Sequence, residues 1–420
     1  MKCISLVRTL FLAVLLAPPV RAESFALKDG DRVVFYGDSI TDQRLYTTFA
    51  ETFVVTRFPK LNVSFVHSGW GGDRVTGGGG GPIDLRLRRD VFAYKPTVLT
   101  IMLGMNDGSY RAFDEKIFDT YATGYQSIID SVKKELPGIR ITVIQPSPFD
   151  DVTQPPRFEG GYNAVLLRYS QFVKELAGKE KLSVADLNAP VVAALEKAKA
   201  TDAELAKKII PDRVHPGPGG HLLMTAELLK SWNAPAMVSA VEIDARAKRT
   251  TDATKTTVSD LKAAEGISWT QIDEALPMPV DLNDSVIALA VKSSDFIQAL
   301  NQQTLKVTGL TAASYNLKID SDEIGAFTKE QLAGGINLAT LPTPMAKQAA
   351  EVHKLTLQHN NVHFQRWRQI QVPLADHKSA KVQSAVKDLM DALDDDEAGV
   401  VKLQRAAAQP KPHQFLLSPQ

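Results

Sequence analysis

From residue 28 to residue 232, short apolar runs alternate with longer segments whose apolar residues recur every three or four positions. The runs are RVVFYG (32–37), NVSFVHS (62–68), TVLTIMLG (97–104), RITVIQP (140–146) and LSVADL (182–187). They are rich in Val and Ile and nearly continuous in hydrophobicity, as strands buried on both faces should be. Helical patterns lie between and after them, at 118–136, 161–179, 190–209 and 219–232. This alternation predicts an α/β fold: a parallel five-stranded sheet with helices on both faces.

Past Trp232 the periodicity changes. Residues 236–340 read as a small β-rich accessory module, with strands expected at SAVEIDA and SVIALAVK. LKVTGL and YNLKID read there as two antiparallel strands joined by a short turn. Residues 341–408 read as a C-terminal helical region, and the tail 409–420, QPKPHQFLLSPQ, as disordered. No internal repeat is visible.

The first 22 residues read differently. Lys2 and Arg8 precede a short apolar run, LFLAVLLA, and VRA then offers small side chains for cleavage after Ala22. This is the pattern of a signal peptide, too short to span a bilayer comfortably. It predicts export to the periplasm or the extracellular space. Cys3, the only cysteine, falls inside it, so the mature chain 23–420 would hold no disulfide and no thiolate site. No later stretch reads as an integral membrane segment. The formal net charge of +0 gives no electrostatic reason to expect nucleic acid as a partner. Oligomeric state is left open.

Three polar motifs stand at predicted strand ends. Ser39, in VVFYGDSITD, follows the first strand at the sheet edge where open α/β proteins bind ligands. Ser39 with Asp42 also reads as a helix cap, and the G-x-S-x-G elbow is absent. Asn106, in LGMNDG, follows the third strand; its amide suits an oxyanion, while Asn-Asp-Gly is also a turn signal. Asp212 and His215, in PDRVHPGPGG, supply a base and an orienting carboxylate, which a serine nucleophile needs. Taken alone, an Asp and a His three apart in a loop are more often solvated side chains with no chemical role.

Together the motifs resemble the SGNH (GDSL) hydrolases over residues 31–232. GDSIT, SGWGGD, GMND and DRVHP match successive blocks of that family. The resemblance implies an SGNH/flavodoxin-like sheet, with Ser39 as nucleophile and Asp212 and His215 completing a triad. It implies an oxyanion hole of the Ser39 and Gly72 N–H groups and the Asn106 side chain, with no metal and no cofactor. The bulky Trp70 beside the oxyanion glycine is a mild departure. Asp38, Trp70 and Gln145 are the further candidates for the substrate cleft. The implied activity is that of an exported serine esterase acting on short-chain acyl or acetyl esters, with a small ester or acylated glycan as substrate. A lysophospholipase or thioesterase of the same family, or a non-catalytic glycan-binding protein on this scaffold, are the alternatives.

The remaining candidates are weaker. His67 and His221 read as structural. His359 and His363 lie four apart on a predicted helix, but without the glutamate of a zincin motif. Arg74, Arg86, Arg88 and Arg89 read as a solvated helix face, or as ligands for an anionic substrate. The glycines 77–81 read either as a close-packed rim of the cleft or as a flexible lip.

Overall fold

A computed structural model describes residues 24–420. The expected signal segment, with Cys3, lies outside the described residues. The first strands are β1 (Arg32–Gly37), β2 (Ser64–Gly69), the two-residue β3 (Gly77–Gly78) and β4 (Gly81–Pro82), β5 (Val98–Met102), β6 (Arg140–Ile144) and β7 (Ser183–Ala185). β3 and β4 form a small separate ribbon. The other five make one sheet in the order β2-β1-β5-β6-β7, with every neighbouring pair parallel. That is the doubly wound order expected, with its reversal point between β1 and β5.

The register levels the strand ends that matter. Gly37 pairs with Gly69 on one side and with Met102 on the other. The loops leaving β1, β2 and β5 therefore emerge side by side. Helices α1 (Ser39–Asp42), α2 (Leu45–Arg57), α3 (Ile83–Asp90), α4 (Glu115–Glu135), α5 (Gly161–Glu180), α6 (Ala189–Thr201), α7 (Ala203–Ala206) and α8 (Pro218–Ser231) connect and cover the sheet. α4 shows the local logic. Asp114 caps its first turn through the Lys116 and Ile117 N–H groups, and Tyr121, Tyr125, Ile128, Ile129 and Val132 form its buried stripe.

The next elements are β8 (Met237–Asp244), β9 (Arg249–Thr254), β10 (Thr256–Ala263), β11 (Ile267–Asp273), α9 (Ser285–Lys292), α10 (Phe296–Leu300), β12 (Gln302–Thr308), β13 (Ser314–Ile319), β14 (Asp322–Thr328), α11 (Lys329–Gly334) and β15 (Ile336–Asn337). The chain ends with α12 (Pro344–Phe364), a π-helical stretch at Gln365–Gln371, α13 (Val372–Leu374), α14 (Ala380–Ala407) and β16 (His413–Pro419). Two sheets, β10-β11-β16-β13-β14 and β15-β12-β8-β9, share a second core in which Val241, Ile243 and Leu305 meet Trp269, Leu317 and Phe415.

Four expectations are corrected here. The tail is not disordered. HQFLLSP forms β16, inserted between β11 and β13, where Phe415 and Leu417 are buried. SVIALAVK is helix α9, because Asp284 caps it and Leu289, Ala290 and Val291 turn into the first core. LKVTGL and YNLKID belong to different sheets: β12 pairs in parallel with β8, and β13 pairs with β14 and β16. Met278, Leu289, Phe296 and Leu300 also pack into the first core, so the chain after residue 235 returns to the parallel sheet's side before completing the second.

The C-terminal helices close against the N-terminal half. α12 packs on α14 and on α2. Buried Glu51 of α2 accepts from His67, His359 and Gln404. His359 and His363 face Glu397 of α14. These histidines therefore join helices rather than standing free as a ligand pair.

Candidate active site

Each site residue is placed by an element end. β1 runs into Asp38, whose carboxylate accepts from the Ile40 N–H at 3.0 Å and starts α1. Ser39 is the first residue of that helix and is half-buried. The cap is thus Asp38, not Ser39, and the serine hydroxyl is left for other work. Asp212 and His215 lie in the loop before α8. Asp212 Oδ1 accepts from the backbone N–H groups of Val214 (2.9 Å) and His215 (2.7 Å), which fixes the turn.

The three side chains form one hydrogen-bonded line. His215 Nδ1 lies 2.7 Å from Asp212 Oδ2, and Nε2 lies 2.8 Å from Ser39 Oγ. A carboxylate can only accept, so Nδ1 carries the proton and Nε2 is left to accept from the serine hydroxyl. Burial of Asp212 works against its charge, but hydrogen bonds from the backbone and ring of His215 outweigh it and hold the carboxyl below its ordinary value.

Gly72 leaves β2 in a strap, residues 70–73, with φ +78°, in the left-handed region that favours glycine. The Gly71 N–H is taken by Asp42 Oδ2 at 3.0 Å. Among the described residues no acceptor takes the Gly72 N–H. Asn106 is 8% exposed; its amide nitrogen donates to Asp73 O at 3.1 Å, and its Oδ1 accepts from the Tyr110 hydroxyl at 2.9 Å. One amide hydrogen thus ties Asn106 to the strap and the second remains. Tyr110 escaped the sequence reading. It and Ser109 are consecutive non-glycine residues at φ +54° and +57°, backbone strain that tends to persist at functional sites.

Two further cleft candidates are buried. Asp38 is buried at the cap, and burial pushes its carboxyl up to about 7. Gln145 is also buried; its amide nitrogen donates to Ser170 O of α5 at 3.3 Å, so it joins β6 to that helix. Trp70 is half-exposed but caged. Arg368 lies over its ring at 3.0 Å, Arg86 and Arg89 at 5.2 Å, and Trp367 meets it edge-on at 5.8 Å.

The glycine run packs closely on this strap. A Cβ on Gly80 would come within 2.7 Å of Trp70 Cδ2 and 2.5 Å of Arg86 Cδ, and one on Gly78 within 2.9 Å of Gly72 O. Of the two readings of 77–81, the structure favours the close-packed rim. Arg86, expected on a solvated face, is fully buried instead. Its guanidinium bonds Asp73 at 2.6 Å, Ser68 O at 2.8 Å and Asp90. Two carboxylates around one buried guanidinium satisfy a charge that would otherwise be costly. Arg74 and Arg88 are exposed as expected. A cavity of about 720 Å³ lined by Phe49, Leu222, Met278 and Leu341 includes none of these site residues.

Known proteins resemble this chain in sequence and in fold. Residues 35–223 match the model of the GDSL-like Lipase/Acylhydrolase family. An acetylxylan esterase of Geobacillus stearothermophilus is 25% identical over 228 residues, 48% of this chain and 93% of its own length. Among solved structures, a gut microbial diltiazem-metabolizing enzyme matches with a TM-score of 0.82 and 28% identity, over 94% of this chain and 98% of its own. That likeness extends through the β sheets and the C-terminal helices. No described helix is long and apolar enough to cross a membrane. Over residues 35–223 the chain is thus similar to the ester hydrolases of the GDSL-like lipase/acylhydrolase family.

Proposed function

We propose that the protein is an exported serine esterase that removes short acyl groups, acetyl foremost, through an acyl-enzyme on Ser39. The observation that carries this reading is the line Asp212–His215–Ser39, with contacts of 2.7 and 2.8 Å, beside an N–H and an amide with hydrogens to spare. In the first half-reaction Ser39 Oγ attacks the ester carbonyl while its proton passes to His215 Nε2. Asp212 holds the ring tautomer and stabilises the imidazolium. Negative charge builds on the carbonyl oxygen, where the Ser39 and Gly72 N–H groups and Asn106 Nδ2 would receive it. The imidazolium then protonates the leaving alkoxide, and the alcohol departs. In the second half His215 takes a proton from water, the hydroxide attacks the acyl-serine, and the acid leaves as Ser39 is reprotonated. Every atom in the scheme comes from the chain, the ester or water.

The acyl preference and the alcohol are inferred from kinship. The curated relative is an acetylxylan esterase, which supports an O-acetylated carbohydrate as substrate. The full-length structural relative metabolises diltiazem, which supports a cleft that admits small molecules. The signal-like first 22 residues support an extracytoplasmic place of action. The test is a panel of aryl esters of rising acyl length beside acetylated xylo-oligosaccharides, run on the wild type and on Ser39→Ala. Turnover should be greatest with acetyl and lost in the variant. Equal rates in the two proteins would end the esterase reading. Faster turnover of long acyl chains would favour a lysophospholipase or thioesterase instead.

A further inference from the structure

The strap that carries Gly72 is held at each end by a contact that leads to the C-terminal helices. At its start, Trp70 is covered by the Arg368 guanidinium at 3.0 Å, and Arg368 Nη2 lies 3.8 Å from Asp42 Oδ2. The same Asp42 oxygen accepts the Gly71 N–H at 3.0 Å. At its end, Asp73 binds Arg86 Nε at 2.6 Å, Arg86 binds Asp90, and Asp90 Oδ1 accepts from Trp367 Nε1 at 2.6 Å. Trp367 then returns to Trp70 edge-on. Two chains of contacts thus begin on either side of Gly72 and close on neighbouring residues, Trp367 and Arg368.

Those two residues sit in the π-helical stretch Gln365–Gln371. A π-helical turn inserts an extra residue and changes which side chains share a face; such turns recur at functional sites. Arg366 of the same stretch is fixed to Asp394 of α14 at 2.9 Å and to Gln371 at 3.0 Å. Trp367 is 1% exposed, so its position is set by packing. The stretch lies far beyond residue 223, where the match to the family ends.

We propose that Trp367 and Arg368 are positioning residues for the esterase reaction: they clamp the strap 70–73 so that the Gly72 N–H meets the developing oxyanion. The C-terminal helices are then part of the active site's construction, although they supply no reacting group. This rests on the esterase reading of Ser39 and Gly72, so the test carries one readout that needs turnover and one that does not.

The full chain is compared with Arg368→Ala, Arg368→Lys and Trp367→Phe. Steady-state hydrolysis of an aryl acetate is measured beside amide hydrogen exchange in peptides spanning 69–75 and, as reference, 98–102. Outright loss of an oxyanion donor costs about 10²–10³ in rate, so its misplacement in Arg368→Ala should lower kcat by about 10- to 100-fold. KM should stay within about threefold, since the contact matters mainly in the transition state. Exchange in 69–75 should quicken while 98–102 holds. Arg368→Lys keeps a cation near Asp42 but not a planar face on Trp70, and should fall between. Trp367→Phe keeps a ring but not the donor to Asp90, and should lower kcat by about threefold. If Arg368→Ala does not fold, the same two readouts on Arg368→Lys and Trp367→Phe decide. Unchanged exchange in 69–75 overturns the proposal whether or not the protein turns over ester. Unchanged kcat in folded Arg368→Ala overturns it as well. A wild type whose aryl acetate turnover survives Ser39→Ala would end the esterase reading, while exchange still decides whether the clamp exists.

Discussion

The Tyr110 hydroxyl donates to Asn106 Oδ1 at 2.9 Å, and that bond fixes which face of the amide the cleft meets. With Oδ1 satisfied and one Nδ2 hydrogen on Asp73 O, the other hydrogen can only point away from the strap. Tyr110→Phe removes the donor while leaving the ring on Tyr162 and Phe149. A net hydrogen bond of about 0.5–1.5 kcal/mol corresponds to a loss of about two- to tenfold in kcat, with KM near its wild-type value. Kinetics on an aryl acetate check this. A kcat equal to wild type would show that Tyr110 only packs.

Gly72 and Gly80 should fail in opposite ways. A Cβ on Gly72 meets nothing within 4 Å, so Gly72→Ala costs only the strain of φ +78°, about 1–2 kcal/mol. Relief of that strain by a backbone shift should limit the fall in Tm to about 1–2 °C, while turnover drops. A Cβ on Gly80 collides with Arg86 and Trp70, an overpacking of about 1–3 kcal/mol, and should lower Tm by about 1–3 °C with turnover kept. Thermal melts beside kinetics separate the two. A Gly80→Ala melt equal to the wild type would contradict the close packing of the rim.

The buried ion cluster that joins the two halves sets a pH window. Burial opposes a charged His359, yet Glu51 and Glu397 outweigh it and raise the imidazolium to about 9. A raised histidine stabilises fully below its ordinary value of 6.5, and that contribution is lost as pH climbs through about 9. Burial holds the neighbouring His67 down at about 4 in spite of Glu51. A buried neutral histidine has the reverse effect, so stability falls as pH drops from 6.5 towards 4. His363 and Gln404 face the same carboxylates. Melting temperature should therefore peak near neutrality or slightly below. His359→Gln should melt lower throughout and lose much of the decline between pH 6.5 and 9. An unchanged alkaline decline in that variant would place the titrating group elsewhere.

The C-terminal tail is a central strand, and truncation should show it. Removing residues 410–420 takes β16 from between β11 and β13 and exposes Trp269, Leu317 and Ile319. Phe415 also stacks on Trp269, with ring centroids 4.9 Å apart. The truncated chain should aggregate or melt far below the full chain. A truncation that keeps the wild-type melt would contradict the pairing.

These outcomes follow how far the sequence could be read. The parallel sheet was legible because each strand is a local apolar run between local helical patterns. The candidate site was legible because GDSIT, SGWGGD, GMND and DRVHP together resemble one family's successive blocks, and the register brings the ends of β1, β2 and β5 level. What escaped depends on distant partners. HQFLLSP alternates like a strand, but nothing near it in sequence offers a mate; its mates are at 267–271 and 315–319. SVIALAVK is too short and too apolar for periodicity to choose between strand and helix. Arg86 looked solvated because its partners Asp73 and Asp90 show no sequence mark of burial. The cleft reading of Asp38 and Gln145 came from adjacency to strand ends, and adjacency does not say which way a side chain turns.

Everything above turns on Ser39 as the nucleophile. The most direct measurement is reaction of the full chain with an organophosphonate ester, followed by mass mapping of the modified peptide and assay of residual aryl acetate turnover. One label is expected, on the peptide bearing Ser39, appearing in step with loss of turnover and failing to form in Ser39→Ala. A label on another residue, or full turnover after Ser39 is modified, would contradict it.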